Sequence, residues 1–252
     1  MTKINKNIEL ISLIYKSVDY LKMIHKELIS KKNDVPGWSI NYRIVANDAN
    51  ESVLNYLRDH KINHSVYKDS KPEDFYLNRV YRCWNYGALT SKYDNICFVN
   101  SDMVFSDGWL EKLLRYHDGN FIPCSRLIES GKMPSGLHGV SKSFGNHPTN
   151  IDFISWNEWA MKNKESRAFG GGLYMPCVFE TKKFIQAGGY PEGNVFRNGK
   201  SIEIGHPNDR SVYKSGDTFF FEKMENDFGL KHITVFDSLV YHIQEGEMDA
   251  PQ

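Results

Sequence analysis

From Ile8 to Leu114 the chain alternates short apolar runs with longer stretches of helical spacing, and that alternation leaves very few architectures open. IELISLIY (Ile8 to Tyr15) is rich in Ile and Leu and predicts a buried strand. Ser17 can cap the next segment, and VDYLKMIHKELISKK carries apolar residues at Val18, Leu21, Ile24 and Leu28, the spacing of a helix. Pro36-Gly37 marks a turn, SINYRIVA predicts a second strand ending at Asn47-Asp48, and NESVLNYLRDH a helix capped by Asn50. NHSVYK, EDFYLNRVYRCWNYGALTS, NICFVN and DGWLEKLLRYH continue the pattern as strand, helix, strand and helix. Strands separated by helices pair in parallel, so the expected class is α/β: an open, mostly parallel central sheet flanked by helices. Ligands of such sheets bind beyond the carboxyl ends of the strands. Asp48 and Asp102 both fall at such ends.

After Cys124 the alternation stops. Gly, Ser, His, Asn and Pro accumulate as far as Arg167, which predicts an irregular insertion with one short helix carrying Trp156 and Trp159. GGGLYMPCVFE predicts a strand, TKKFIQAGG a short helix with a glycine at its end, and the run from Asn194 to Gly216 a loop. DTFFFEKMENDFG predicts a helix with Asp217 near its start, and HITVFDSLVYHIQEGE a last strand with a polar tail. No repeat or low-complexity linker divides the chain. The expectation is one domain over residues 1–252, with a nucleotide-sugar-binding half (1–123) and an acceptor-binding, catalytic half (124–252).

Composition removes other classes. With 31 basic and 31 acidic residues the formal charge is zero, which argues against a protein that grips nucleic acid by bulk charge. The four cysteines form no C-x-x-C pair and no zinc spacing, which fits a reducing compartment. Nothing near the N-terminus resembles a signal peptide, and no apolar run reaches the ~20 residues of a transmembrane helix. A cytoplasmic location is expected.

Asp102 is the residue that most needs explaining. A carboxylate after an apolar strand often caps a turn or helix. Here Asp107 is better placed to cap the helix from Trp109, which leaves Asp102 on the ligand rim. A negative group there suits a divalent cation, which takes hard oxygen ligands and bridges phosphates.

The stretch YLNRVYRCWNYGALTSKYDNICFVNSDMVFSDGWLEKLL resembles the family-2-type glycosyltransferases of the GT-A fold. Asn85-Tyr86-Gly87 matches their N-x-G element, Asn100-Ser101-Asp102 their D-x-D-type motif, and Gly108-Trp109-Leu110 the segment after it. Asn100 departs from the acidic pattern: it can hydrogen-bond a hydroxyl but brings no charge. Downstream, GGGLYMPCVFETKKFIQAGGYPEG resembles the acceptor-side strand and helix. SGDTFFFEKM occupies the place of the catalytic-base motif, and LVYHIQEGE that of the C-terminal histidine element. The residues from Cys124 to Arg167 have no clear counterpart.

The resemblance implies a metal-dependent transferase that moves a sugar from a nucleotide-diphosphate donor, UDP-linked, to a hydroxyl acceptor with inversion. Asp102 and His242 would hold Mn²⁺ or Mg²⁺. Asp217 would be the base, with Asp209 and Asp227 as rivals, and its place near a helix N-terminus would hold it ionised without making it strongly basic. Tyr15, Asp48, Arg79, Asn85, Asn100 and Ser101 would meet the nucleotide-sugar, with Arg82 the rival of Arg79. Trp156 and Trp159, three apart, share a helix face that serves either core packing or sugar stacking. Gly171 and Gly172 would let the backbone approach an acceptor, which could be a glycan, a lipid-linked sugar or a protein. His138, His147 and His206 lie in polar loops and carry no expected role. Two other readings compete. A nucleotidyltransferase would want a glycine-rich phosphate loop after the first strand, and LIYKSVDY has none. A catalytically decayed transferase scaffold acting as a carbohydrate-binding or interaction protein would be consistent with Asn100. The sequence leaves donor sugar, stereochemistry and oligomeric state open.

Overall fold

The computed structural model describes residues 5–69, 71, 76–133, 135–196 and 212–244. The first half has the expected order: β1 (Asn7–Ile14), α1 (Val18–Leu28), β2 (Ser39–Asn47), α2 (Glu51–Asp59), β3 (His64–Tyr67), α3 (Tyr76–Leu89) and β4 (Asn95–Val99). Two predicted caps are present, since the Ser17 side chain accepts from Tyr20 N–H and that of Asn50 from Val53 N–H. A three-residue strand, β5 (Met103–Phe105), then precedes α4 (Trp109–Leu114). Asp107 does not cap α4. The cap is Gly108 in the left-handed region, with no side-chain hydrogen bond.

The second half runs β6 (Phe121–Glu129), β7 (Val140–Ser141), α5 (Phe153–Asn163), β8 (Ala168–Gly170), β9 (Cys177–Glu180), α6 (Thr181–Gln186), β10 (Val195–Phe196), β11 (Val212–Lys214), α7 (Gly216–Phe228) and β12 (Lys231–His242). The segment expected to be a loop from Asn194 is only partly described, and Asp209 and His206 lie outside the described residues.

Among the described residues one ten-stranded sheet has the order β3-β2-β1-β4-β9-β6-β12-β5, with β7 against β6 and β8 against β12. β3, β2, β1 and β4 are parallel to one another, and β6 is parallel to β12. β9 and β5 run antiparallel to their neighbours. Helices cover both faces. Leu21, Val53, Leu110 and Trp156 pack on one, and Tyr81, Trp84, Phe184 and Phe220 on the other. Ile14, Asn47, Val99, Glu129 and His242 therefore end their strands on one rim, and β5 begins there.

β6 corrects the sequence reading, because the expected irregular insertion starts with a strand in the middle of the sheet. Its polar residues hid it, and tertiary partners satisfy them. Ser125 Oγ lies 2.8 Å from Ser238 Oγ. The Arg126 guanidinium covers the Phe236 ring at 4.2 Å and bonds Glu165 at 3.1 Å. Phe236 and Ser238 are available because β12 bulges between Val235 and Leu239. The short helix expected inside that insertion is present as α5.

β5 is an edge strand, and its outward groups are blunted. Phe105 N–H donates to Glu27 Oε2 at 2.8 Å, and Lys32 Nζ donates to Phe105 O at 2.9 Å. Burial pushes the Glu27 carboxyl up, against the Lys32 charge and the Phe105 N–H. Trp109 Nε1 donates to Asn33 Oδ1 at 2.7 Å. The strand that opens after Asp102 is thus pinned to α1 and the turn behind it.

Candidate active site

The site is assembled by strand register. β12 lies between β5 and β6 and pairs His242 with Met103 on one side and Glu129 on the other. Asp102 precedes Met103, so two segments 140 positions apart in sequence converge (242 − 102 = 140). His242 Nε2 lies 3.2 Å from Asp102 Oδ2, and Nδ1 lies 3.5 Å from Glu129 Oε1. Both acids are buried. Burial alone would lower the imidazole, but the two carboxylates override it and raise His242 to about 10. The imidazolium in turn holds Asp102 and Glu129 below their ordinary values, although burial works against it on both.

A carboxylate oxygen and an imidazole nitrogen are donors that a divalent cation can use, although 3.2 Å is also the separation of a direct imidazolium–carboxylate contact. Two atoms bound at about 2.1 Å and at right angles lie about 3 Å apart. The observed 3.2 Å is close to that separation. Among the described residues no group of three or more His, Cys, Asp or Glu side chains is arranged to hold a metal alone. An ion here would take its remaining ligands from substrate oxygens and water. Asn100 and Ser101 are half-buried on the turn leading into Asp102.

A second cluster lies along the same rim. Arg79, in the first turn of α3, donates to Tyr15 OH at 3.0 Å, with its guanidinium 4.9 Å from the ring centre. Burial would raise the Tyr15 phenol, but the hydrogen bonds and charges of Arg79 and Lys16 bring it down. Asp48 follows the last residue of β2 at φ +49, an unusual angle for a non-glycine residue. Its Oδ2 is buried with no hydrogen-bond partner, as is Asn47 Oδ1 beside it. Unpartnered buried acceptors are rare in folded proteins and call for an explanation. Arg82, the rival of Arg79, is buried against Asp69 and Glu192 and is structural.

α7 leads into β12 and packs on its start, with Phe221 against His232, while at the helix N-terminus Asp217 N–H donates to Tyr81 OH at 3.2 Å. Asp217 Oδ1 accepts from Ser215 Oγ at 2.5 Å and from Thr218 N–H at 2.8 Å. Both bonds fall on one oxygen. Burial outweighs them and pushes the carboxyl up from its ordinary value. This corrects the expectation from helix position alone: Asp217 is more basic than an exposed carboxylate. Its rival Asp227 is paired with Lys223 at the far end of α7.

Other expected contacts are placed elsewhere. Asn85 is a structural staple: its Nδ2 donates to Tyr190 O and its Oδ1 accepts from Tyr190 N–H, both at 2.8 Å. Trp156 is fully buried between Phe144, Tyr241 and Trp159, so it is core and offers no face to a sugar. Trp159 is half-buried in the same stack. Gly171 N–H donates to His232 O, and Thr234 Oγ1 donates to Gly171 O. These contacts lie across from Ile122 and Cys124 of β6, five to seven residues before Glu129 and about 17–23 Å from it along the sheet, where Gly171 lines a cleft with Tyr174, Thr218 and His232. Gly172 has a different reason to be glycine, since a Cβ there would sit 1.9 Å from Thr234 Oγ1.

The staple yields a test of its own. Gly189 has φ +72, and a Cβ would meet Asn85 Oδ1 at 2.3 Å, whereas Gly188 has φ +89 and open space. Gly189→Ala is expected to cost about 2–3 kcal/mol and Gly188→Ala about 1. Thermal melts would show the first variant falling by several degrees more than the second.

Glu129 and Asn47 were missed by sequence reasoning. Glu129 carries the signal that singled out Asp102, a carboxylate at the carboxyl end of an apolar strand, but its strand was itself unrecognised.

No protein-family model matches the chain, and no curated protein matches it in sequence. Solved structures do match its fold. A crystal structure of GalNAc-T7 with UDP, GalNAc and Mn²⁺ superposes with a TM-score of 0.56 at 12% identity, covering 94% of this chain and 43% of that one. S. aureus TarS superposes at 0.56 and 14% identity, covering 94% of this chain and 36% of that one. Its 1–349 fragment superposes at 0.54 and 14%, covering 94% and 60%. The fold is that of the GT-A glycosyltransferases. The chain spans between about a third and three-fifths of the structures it resembles.

Proposed function

We propose that this chain is a metal-dependent glycosyltransferase that uses a nucleotide-diphosphate sugar, UDP-linked, and inverts the anomeric centre. The observation that carries the reading is the Asp102–His242 pair, joined at 3.2 Å by the register of three strands on the ligand rim of a GT-A sheet. Mn²⁺ or Mg²⁺ held there would neutralise the diphosphate as it leaves. Mn²⁺ suits the mixed oxygen and imidazole donors better. The GalNAc-T7 crystals with UDP and Mn²⁺ support the donor and the metal by analogy.

The chain's own residues supply the rest. Tyr15 and Arg79 would flank the nucleotide, and the free Asp48 Oδ2 would accept from its base or ribose. Asn100 and Ser101 stand next to Asp102 at the diphosphate end. Asp217 would take the proton of the acceptor hydroxyl through Oδ2, the oxygen its fixed partners leave uncommitted. The acceptor would be a glycan, a lipid-linked sugar or a protein. No helix among the described residues is long and apolar enough to cross a membrane.

Thermal shift tests the reading. UDP and Mn²⁺ together should raise Tm by several degrees, and each alone by much less. At ligand about 100-fold above Kd the linkage stabilises by about 2.7 kcal/mol. No shift with both present counts against the transferase and favours a scaffold without donor binding. A panel of nucleotide sugars, assayed for hydrolysis with Mn²⁺ and with EDTA, then identifies the sugar.

A further inference from the structure

We propose that Glu129 is a positioning residue for the cation site, fixing the His242 ring so that Nε2 presents its lone pair beside Asp102. The inference rests on the reading of Asp102 and His242 as ligands. It goes beyond that reading by assigning the group behind the histidine.

Three features carry it. Parallel pairing of β6 and β12 sets Glu129 directly across from His242. The carboxylate lies 3.5 Å from Nδ1 on one side of the ring, while Asp102 lies 3.2 Å from Nε2 on the other. Glu129 is itself held. Gln244 Nε2 donates to Glu129 Oε1 at 3.0 Å, and Gln244 Oε1 accepts from Gly131 N–H at 3.1 Å and Met133 N–H at 3.3 Å. Gln244 sits at φ +65, in the left-handed region that residues other than glycine rarely adopt. The chain after β12 is thereby tied to the loop after β6, with the Glu129 carboxylate between them.

An imidazole that ligates through one nitrogen keeps its proton on the other, and that N–H needs an acceptor. Here the only carboxylate on the Nδ1 side in the described ion pairs is Glu129. At 3.5 Å His242 Nδ1 has no hydrogen-bond partner among the described residues, and Glu129 Oε2 has none either, so an Nδ1–H bond to Glu129 made when Nε2 ligates a cation would hold the ring with Nε2 aimed beside Asp102. A carboxylate acceptor also makes the ligating nitrogen a better donor to a cation. A Glu129 that only balanced buried charge would change the melting temperature and leave cation affinity alone.

The test is a Mn²⁺ titration followed by electron paramagnetic resonance of the free ion, with UDP present, on wild type, Glu129→Gln, Glu129→Ala and His242→Ala. Wild type should bind and His242→Ala should not. Glu129→Ala should bind 10- to 100-fold more weakly. Glu129→Gln keeps an oxygen for Nδ1–H but no charge, and should lose about 10-fold. UDP affinity without metal should be unchanged across the set. If wild type binds and both Glu129 variants match it, the positioning role is overturned while the ligand assignment stands. If wild type and His242→Ala titrate identically, the ligand assignment falls and this proposal with it. Should Glu129→Ala fail to fold, Glu129→Gln decides by the same comparison.

Discussion

Asp217→Asn should lower kcat by about 10²- to 10⁴-fold, the usual contribution of a general base, and leave donor affinity unchanged. The asparagine oxygen still accepts from Ser215 Oγ and Thr218 N–H, so the local geometry survives. The lost property is the ability to take a proton. The pH dependence is signed. Burial raises the Asp217 carboxyl above its ordinary value, so in wild type kcat should fall on the acid side at a higher pH than an exposed aspartate would give. The same shift has a stability consequence. A carboxyl raised in the folded state favours folding most at low pH, and that contribution is lost as pH rises through the folded-state value. At neutral pH Asp217 therefore costs stability, and Asp217→Asn should melt no lower than wild type. An inactive variant that is also clearly destabilised would mark Asp217 as structural.

Asp102→Ala should abolish the Mn²⁺-dependent part of UDP binding and reduce transfer by about 10³-fold, since a cation contributes several kcal/mol of charge stabilisation at a leaving diphosphate. It should also weaken the metal-free protein, because removing one partner of a buried pair costs about 3–5 kcal/mol. The pH dependence separates the two effects. His242 is raised from an ordinary value near 6.5 to about 10 by Asp102 and Glu129, with burial opposing. Its contribution to stability is complete below about pH 6.5 and is lost as pH rises through about 10. Metal-free wild type should lose melting temperature across that window, and Asp102→Ala should lose less. Parallel profiles for the two proteins would mean that the pair is not coupled as the distances indicate.

The range over which each force acts decides which features are legible in the sequence. Caps such as Ser17 and Asn50 and the apolar periods of the first half are local, and apart from β5, which was not expected, the elements and their order match the sequence expectation. β6 does not, because Pro123, Ser125 and Arg126 break its pattern and the groups that satisfy them are distant in sequence: Ser238 and Phe236 on β12, more than a hundred residues later, and Glu165 before β8. Asn85 looked like a substrate contact because an exposed asparagine and a stapling one have the same letter. Only the reciprocal bonds to Tyr190 separate them. Trp156 posed the same ambiguity, and its burial resolved it for the core.

The amino-acid order alone determined an α/β chain with acidic groups at the open ends of its strands, because side-chain period and chain punctuation are properties of neighbours. Only the tertiary structure decided which of those groups meet. Register across β5, β12 and β6 brings Asp102, His242 and Glu129 to one point, and a shift of one residue in that pairing would turn their side chains to the other face of the sheet.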